Sequence, residues 1–290
     1  MMRTGRTLWQ EKYDPTRSPI LGYLMRLYRY FASALCSLML LSASAHADVD
    51  LGSLQLFSED NDASPIPKGL VLGGTVIHGT ARYEAQKDET YVVPGGLYFG
   101  DQFMYLGDRA RYYFHVDDTF AAYAYGRYRF GNLDPDDEDA FDGMHKRKSQ
   151  FEAGAGGTLI TPYALLTARF SSDVTGRSNG QELLLWADFP IIKGPLLVMP
   201  GMGLMIRSDK MANYYFGGVS QSEATANRPQ WDTGTTFSPM AAVISTYRFN
   251  SKWVGMFAAN YEFYDKDIAD SPIVQHSGEL YGLIAVGYIW

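Results

Sequence analysis

The sequence predicts an all-β fold, a transmembrane antiparallel up-and-down β-barrel of twelve strands, from three observations. Side chains alternate between two faces with period two along most of the chain after residue 69, and no stretch shows a convincing helical period. Several predicted strands run about 10–14 residues, which suits a tilted membrane strand better than the usual five or six residues of a soluble sheet. Short and long connections then follow one another in turn, an arrangement typical of outer-membrane barrels.

Composition excludes several other classes of protein. The 290 residues carry a net charge of −7, and only 46% are hydrophobic. A mean hydropathy of −0.18 excludes a polytopic helical membrane protein, which needs several apolar runs of about 20 residues. The acidic balance argues against nucleic acid as a partner, because neutralising phosphates requires a basic face. A single cysteine excludes a disulfide scaffold and a zinc-ribbon module.

Residues 1–47 have the order of a secretory signal peptide. An apolar run at 31–41 is too short to cross a bilayer as a helix, and Arg26 and Arg29 precede it. The run is followed by Ala45-His46-Ala47, which matches the small-residue pattern of a cleavage site. We therefore expect export and cleavage after Ala47.

Removal of the signal peptide changes the charge and the thiol content. Translation starts at Met1 or at Met25, and in either case Cys36 is lost with the signal peptide. The remaining chain has 19 basic and 30 acidic residues, a net charge of −11. We expect this mature chain to consist of a short periplasmic segment at 48–68 and a barrel at 69–290.

The strand count follows from the connections. Tight turns are predicted at 100–101, 117–118, 161–162, 193–194 and 250–251, and longer polar connections at 84–91, 131–148, 173–180, 208–233 and 265–276. One short turn, 107–108, falls where a long connection is expected. The count is twelve if 92–99, 102–106 and 109–116 are separate strands, and ten if this Gly-rich region forms fewer, longer ones. Both counts are even, so both termini are expected on the periplasmic side.

The inward faces of these strands carry ten charged residues. They are Arg109, Arg111, Arg127, Arg129, Arg169, Arg248, Glu152, Glu182, Asp188 and Glu262. Inward placement is expected because a charge on the lipid face costs about 2–4 kcal/mol at mid-membrane. One interpretation is an anion-attracting pore. The pattern favours the other, a network of Arg–carboxylate pairs that fills the lumen, because bulky inward tyrosines leave a small barrel little space.

The last strand carries an assembly signal. Trp290, Tyr288, Val286, Ile284 and Leu280 lie on one face of this strand. A terminal aromatic residue at the end of an alternating apolar strand looks like the signal by which the barrel assembly machinery recognises its substrates. This machinery is therefore an expected partner, and Trp290 and Tyr288 are the residues it would contact.

The predicted outer loops offer no recognised catalytic or metal-binding motif. The acidic run at 134–142 lacks the glycine and the final glutamate of an EF-hand calcium loop. Four histidines remain after processing, at 78, 115, 145 and 276, and no nucleophile or zinc-protease motif accompanies them. We expect no enzymatic activity, metal or cofactor. The basic run at 145–148 would lie at the outer rim, near lipopolysaccharide phosphates.

Three aromatic residues, Tyr214, Tyr215 and Phe216, lie in the longest predicted loop. They are candidates for contact with a partner or a host surface. The alternative is a loop that folds inward over its own aromatic side chains. The sequence does not decide between the two interpretations.

The same loop resembles the corresponding loop of a known family. Residues 214–220, Tyr-Tyr-Phe-Gly-Gly-Val-Ser, followed by Glu223-Ala224, resemble the tyrosine-rich loop of the MipA/OmpV family. So do Asp-Ser-Pro-Ile-Val at 270–274 with the final aromatic strand, and Trp253 at the start of the penultimate strand. The resemblance covers about 69–290. The chain departs from the family pattern in its second loop glycine and in ending on Trp rather than Phe.

The resemblance implies an outer-membrane β-barrel of a Gram-negative bacterium, surrounded by lipid and lipopolysaccharide. It also implies a non-enzymatic scaffold that brings a murein lytic transglycosylase together with a bifunctional penicillin-binding protein in cell-wall synthesis. Residues 48–68 and the periplasmic turns would then face these enzymes. Two alternatives stay open: a small channel or osmotic-stress porin, and a surface adhesin that acts through loops 131–148 and 208–233.

Overall fold

A computed structural model describes residues 51–59, 64–136 and 138–290. The predicted signal peptide, its cleavage site and the first residues of the expected periplasmic segment lie outside the described residues. Residues 60–63 and Asp137 also lie outside them.

Twelve antiparallel strands form a closed barrel, and they alternate in direction along the chain. They are β1 (Gly69–Gly79), β2 (Glu89–Phe99), β3 (Phe103–Tyr105), β4 (Arg109–Val116), β5 (Phe120–Arg129), β6 (Gln150–Ile160), β7 (Leu165–Asp173), β8 (Gln181–Asp188, continued by Ile191–Lys193), β9 (Leu196–Arg207), β10 (Thr236–Asn250), β11 (Trp253–Phe263) and β12 (Gly278–Ile289). Each strand pairs with the next, both segments of β8 pair with β9, and β12 pairs with β1 to close the wall. The predicted fold and the count of twelve are confirmed, because the Gly-rich region forms three strands.

The predicted alternation of connections is also confirmed. Five short turns lie at one end of the barrel, at 100–102, 117–119, 161–164, 194–195 and 251–252. The opposite end carries five long connections at 80–88, 130–149, 174–180, 208–235 and 264–277, together with the short turn at 106–108. Because short turns face the periplasm in outer-membrane barrels, the long-loop end is extracellular.

The described part of the chain has four short helical segments, all in its connections or before the first barrel strand. Two α-helices lie in extracellular connections, α1 (Asp209–Tyr215) and α2 (Lys266–Ala269), and 3₁₀ turns form at Leu51–Phe57 and Asp139–Phe141. Helix α1 begins at Ser208, whose side-chain oxygen accepts a hydrogen bond from the backbone of Met211. No helix among these residues is long and apolar enough to cross a membrane.

The outer face of the barrel is apolar. Exposed outward side chains include Val76, Val92, Phe114, Phe151, Phe170, Met202, Phe237, Phe257 and Ile284. At the short-turn end, the ring of Tyr288 lies 5.4 Å from that of Trp253 and 5.8 Å from that of Trp290. Aromatic side chains at this level form the belt that anchors a barrel at the membrane interface.

Candidate functional site: the occupied lumen

All ten charged residues that the sequence assigns to inward faces are buried on the inner wall, each at most 7% exposed. They lie in two regions of the lumen. Some form a cluster of ion pairs in the extracellular half of the lumen, and others hold the N-terminal segment in the periplasmic half.

Glu182 on β8 is the centre of the extracellular cluster. Its Oε2 accepts a hydrogen bond from Arg129 Nη2 at 2.7 Å and another from Arg207 Nε at 3.3 Å. Its Oε1 lies 3.6 Å from Arg127 Nη1 and 4.0 Å from Arg169 Nη2. One carboxylate is thus shared by four guanidinium groups, and three of these come from residues predicted for the lumen.

Two further carboxylates complete the cluster. Arg129 also pairs with Glu152 on β6, and Gln150 donates a hydrogen bond to the same carboxylate at 2.9 Å. Arg207 binds both oxygens of Glu262 on β11, with Nη2 to Oε2 at 2.9 Å. Arginine forks that bind carboxylates through two hydrogen bonds are the stronger and more directional kind of ion pair. The cluster therefore cross-links strands on opposite sides of the barrel.

The periplasmic half of the lumen is occupied by residues 51–57 and 64–67. Leu54 and Ile66 are 0% and 1% exposed and pack against apolar side chains of the inner wall. Ser53 donates a hydrogen bond to Asp188 at 2.8 Å, and Tyr113 donates one to the Gly52 carbonyl at 3.0 Å. Residues 51–57 and 64–67 of the expected periplasmic segment thus lie inside the barrel, where Asp188, one of the predicted lumen residues, meets them.

Arg111 and Arg248 also contact this segment. The Gly52 backbone packs so closely on the Arg111 guanidinium that a Cβ atom at this position would overlap it. Arg248 Nη1 donates a hydrogen bond to the Ser64 carbonyl at 3.3 Å. We call residues 51–57 and 64–67 the N-terminal plug.

The extracellular end is covered by loops that share an apolar core. We call this group of residues the loop cap: Tyr83, Leu133, Phe141, Met144, Met211, Tyr215, Phe216, Val219, Tyr264, Ile268, Ile273 and Val274. They come from four of the long connections. Connecting loops usually lie on the surface, because a buried loop would leave backbone polar groups without partners. Here their side chains pack into a shared apolar core, which indicates that the loops fold as one layer over the lumen.

Phe216 joins the loop cap to the charged cluster. Its side chain is 0% exposed, and the guanidinium carbon of Arg207 lies 3.8 Å from the ring centre. Arg82 stacks on the same ring at 4.2 Å and donates a hydrogen bond to the Tyr215 carbonyl at 3.0 Å. Cation–π contacts of this kind are strongest where water is excluded.

The structure places the three aromatic loop residues differently from one another. Tyr215 is 1% exposed and Phe216 is fully buried, so neither side chain reaches the extracellular surface. Tyr214 is half-buried, and its hydroxyl accepts a hydrogen bond from the Lys148 backbone at 2.9 Å. Of the two interpretations left open by the sequence, the inward one describes Tyr215 and Phe216.

Glu223 fastens the longest loop to the loop at 130–149. It accepts hydrogen bonds from Arg147 Nη1 and from the His145 backbone, both at 2.8 Å. Burial raises its pKa, but the hydrogen bonds from Arg147, His145 and Ser220 outweigh burial and lower the pKa to about 2. Arg147 is therefore a buried partner of Glu223, while Lys146 of the same basic run pairs with Asp134.

The other residues singled out in the sequence stay apart from this site. The indole of Trp290 is 76% exposed on the outer face of the barrel. His276 is exposed in the last loop, and His78 on the outer face contacts Thr90 at 2.9 Å. Within 51–59, 64–136 and 138–290, no three His, Cys, Asp or Glu side chains are placed to hold a metal ion.

Four further charged residues in the described part of the lumen are not among the ten predicted from the sequence: Arg82, Arg207, Glu279 and Asp108. Arg82 pairs with Glu279, and Arg109 binds Asp108 through two hydrogen bonds of 2.9 Å. Arg207 continues the inward alternation of β9 to its last residue, so strand periodicity could have found it. Arg82 and Asp108 lie in connections, where no periodic pattern marks the inward side.

Comparison with known proteins identifies the family. The family model described as "MltA-interacting protein MipA" matches residues 72–290. The chain is 26% identical over 216 residues to the MltA-interacting protein of Escherichia coli K12, covering 74% of this chain and 85% of that protein. It is 28% identical over 146 residues to outer membrane protein OmpV of Vibrio cholerae, covering 50% and 56% of the two chains.

Solved structures similar to the barrel include the NanC porin, with a TM-score of 0.39, 11% identity and coverage of 76% of this chain and 99% of that chain. An outer membrane channel of Pseudomonas putida F1 has a TM-score of 0.39, 10% identity and coverage of 77% and 97%. The family match spans the barrel from β1 to β12, and the relatives are named outer membrane proteins. The chain belongs to the MipA/OmpV family and is an outer-membrane β-barrel protein of Gram-negative bacteria.

Proposed function

We propose that this protein is a non-enzymatic, non-conducting scaffold that holds a murein lytic transglycosylase at the periplasmic face of the outer membrane. The observation that carries the first half of the proposal is the occupied lumen. The N-terminal plug, the charged cluster and the loop cap lie one above the other along the barrel axis, so an ion would have to displace all three.

Each of these layers resists displacement for a different physical reason. Withdrawal of the plug would expose Leu54 and Ile66, which are buried among apolar side chains. Opening the charged cluster would leave buried guanidinium groups without Glu182, which costs about 3–5 kcal/mol per broken buried pair. Lifting the cap would remove Phe216 from its contacts with Arg82 and Arg207.

The second half of the proposal is supported by the relative from Escherichia coli K12, which is named for interaction with MltA. A lytic transglycosylase partner would meet the short-turn end, which faces the periplasm. There, Tyr163 in the turn at 161–164 is 85% exposed. Exposed aromatic side chains are frequent anchors of protein–protein contacts. By analogy with the scaffold role expected for the family, a penicillin-binding protein is the second partner.

A conductance measurement tests the first half of the proposal, that the barrel does not conduct ions. The purified barrel is reconstituted into a planar lipid bilayer at neutral pH, and we expect no steady open level. An open-channel porin reconstituted in parallel provides the positive control. A reproducible open level would overturn the non-conducting proposal and favour the channel alternative.

Photo-cross-linking in cells tests the second half of the proposal, that the periplasmic end binds a lytic transglycosylase. p-Benzoylphenylalanine is placed at Tyr163 on the periplasmic end or at Tyr214 on the extracellular end, and adducts are identified by mass spectrometry. We expect a lytic transglycosylase adduct at Tyr163 and none at Tyr214. A further variant carries the cross-linker at Asp118, in the neighbouring periplasmic turn at 117–119. If neither a transglycosylase nor a penicillin-binding protein is recovered at Tyr163 or at Asp118, the scaffold proposal is refuted.

A further inference from the structure

The barrel wall is incomplete in its extracellular half beside β2. Strand β2 pairs with β1 through eleven residues, but it pairs with β3 only at Tyr98 and Phe99. Strand β3 has three residues and rises about 10 Å before the chain turns back at 106–108. Among the described residues, no strand pairs with the remainder of β2, residues 89–97, on this side.

The gap has defined borders. On the far side, the last backbone bond between β5 and the short β3–β4 hairpin joins Tyr128 N to the Asp108 carbonyl at 2.7 Å. Above the gap, Gln86 donates a hydrogen bond to the Asn132 carbonyl at 3.1 Å. We call this opening the lateral window, bounded by residues 89–97, 106–108 and 128–130 and by the Gln86–Asn132 contact.

The hairpin that sets the lower border is tightly held. Gly107 adopts a φ of +81°, which allows the sharp turn, and Leu106 is 7% exposed in the apolar core of the lumen. Both side-chain oxygens of Asp108 accept hydrogen bonds from Arg109 at 2.9 Å. These contacts hold the short hairpin in the wall, with the window directly above it.

Side-chain exposure reflects the gap. Val92 is 79% exposed, whereas its register partner on β1, Val76, also on the outer face, is 42% exposed. On the inner face, Tyr91 and Val93 are half-buried, whereas the inward Tyr123 and Tyr125 of β5 are 0% and 4% exposed. The window thus gives access from the membrane to the inner face of β2.

The backbone of β2 limits what can fill the window. Gly100 donates a hydrogen bond to the Phe103 carbonyl, so backbone groups of even-numbered residues face β3 and, higher up, the window. These include the N–H groups of Thr90, Val92 and Gly96, but Pro94 between them has none. A proline at an open edge removes a ladder bond where an added strand would need it. The edge therefore disfavours a strand of another protein.

We propose that the lateral window binds an acyl chain of lipopolysaccharide from the outer leaflet. The window lies in the extracellular half of the wall, where this lipid abuts the barrel. Backbone groups in a membrane need hydrogen-bond partners, and the ester, amide and hydroxyl groups of the lipid near the interface would meet Thr90 and Val92. The hydrocarbon below them would pass Pro94 and reach Val93 and Leu97.

Photo-cross-linking at matched tyrosines tests this proposal in cells. p-Benzoylphenylalanine replaces Tyr91 at the window, Tyr98 on the lipid-facing wall, or Tyr125 on the buried inner face of β5. After irradiation, the folded barrel is isolated by its heat-modifiable mobility, and adducts are detected with antibody to lipopolysaccharide. We expect adducts at Tyr91 and Tyr98 and no adduct at Tyr125.

Two results would overturn the proposal. One is an adduct at Tyr98 without one at Tyr91, which would mean that lipid does not pass the edge of β2. The other is a protein adduct at Tyr91, which would mean that a polypeptide fills the gap. Val93 on the same inner face provides a second position if the Tyr91 variant does not assemble.

Discussion

The substitution Glu182→Gln tests whether the charged cluster stabilises the barrel. Glutamine keeps the shape of the side chain and one oxygen acceptor, but it removes the negative charge. The two hydrogen bonds that Oε2 accepts, from Arg129 at 2.7 Å and Arg207 at 3.3 Å, would lose their ionic character. Arg127 at 3.6 Å would lose its nearest carboxylate in the cluster.

The expected loss of stability follows from these contacts. A hydrogen bond to a charged group contributes about 1.5–3 kcal/mol, and two of them are weakened here. Removing one partner of a buried ion pair costs about 3–5 kcal/mol because it leaves an uncompensated charge. We therefore expect the free energy of unfolding to fall by about 3–5 kcal/mol.

Urea unfolding of the barrel refolded in detergent micelles measures this loss through tryptophan fluorescence, since Trp186 lies on the same strand as Glu182. Glu84→Gln is the matched control, because Glu84 is exposed in an extracellular loop. The control should change stability by less than about 0.5 kcal/mol. A loss below about 1 kcal/mol for Glu182→Gln would refute the reasoning, since it would mean that the four arginines do not depend on this carboxylate.

Three further substitutions test the layers above and below the cluster. Phe216→Ala should cost about 3–5 kcal/mol in the same assay, and Tyr214→Ala much less, because of the two only Phe216 is fully buried. Equal losses would contradict the stacking of Phe216 on Arg82 and Arg207. The Glu223 carboxylate has a folded pKa of about 2 against an ordinary 4.5, so its stabilisation is present above pH 4.5 and is lost as pH falls toward 2. The stability difference between wild type and Glu223→Gln should therefore be about 1.5–3 kcal/mol at pH 6, the usual contribution of a hydrogen bond to a charged group, and should shrink toward zero as pH falls through 2. Thermal unfolding across this range measures the difference, and a constant difference would exclude this linkage. Leu54→Asp should release the plug, because an unpaired buried charge costs more than the apolar contacts provide. Protease added from the periplasmic side, with mass spectrometry of the trimmed barrel, detects the release; Glu59→Gln is the exposed control, and a plug that stays protected in Leu54→Asp would count against its docking inside the lumen.

Strand periodicity predicted most of the barrel because it depends on local pattern alone. A residue on a membrane strand faces either lipid or lumen, and lipid does not tolerate charge. For this reason the inward positions of Arg129, Glu152 and Glu182 could be assigned before their partners were known. The same pattern located the tight turns and the two ends of the barrel.

The loop cap and the plug could not be predicted in the same way. Arg82 contacts Tyr215, which lies 133 residues away, and Ser53 contacts Asp188 at a separation of 135. Such contacts depend on how the closed barrel brings distant segments of the chain together. Neither the loop cap nor the plug carries a repeating sequence pattern that would predict them. The lateral window could not be predicted either. The short turn at 107–108 is visible in the sequence, but the sequence does not show that this hairpin ends halfway up the wall.

The position of the plug in the chain has a consequence for how firmly it is held. A single residue, Lys68, separates Pro67 of the plug from the first residue of β1. The plug is therefore an intramolecular ligand whose effective concentration at its binding site is set by this tether and not by the amount of protein in the membrane. Dilution does not promote its release, and a soluble competitor would have to bind the inner wall far more tightly than the plug does. The plug of each copy therefore competes for its own inner wall, whatever the amount of protein in the membrane.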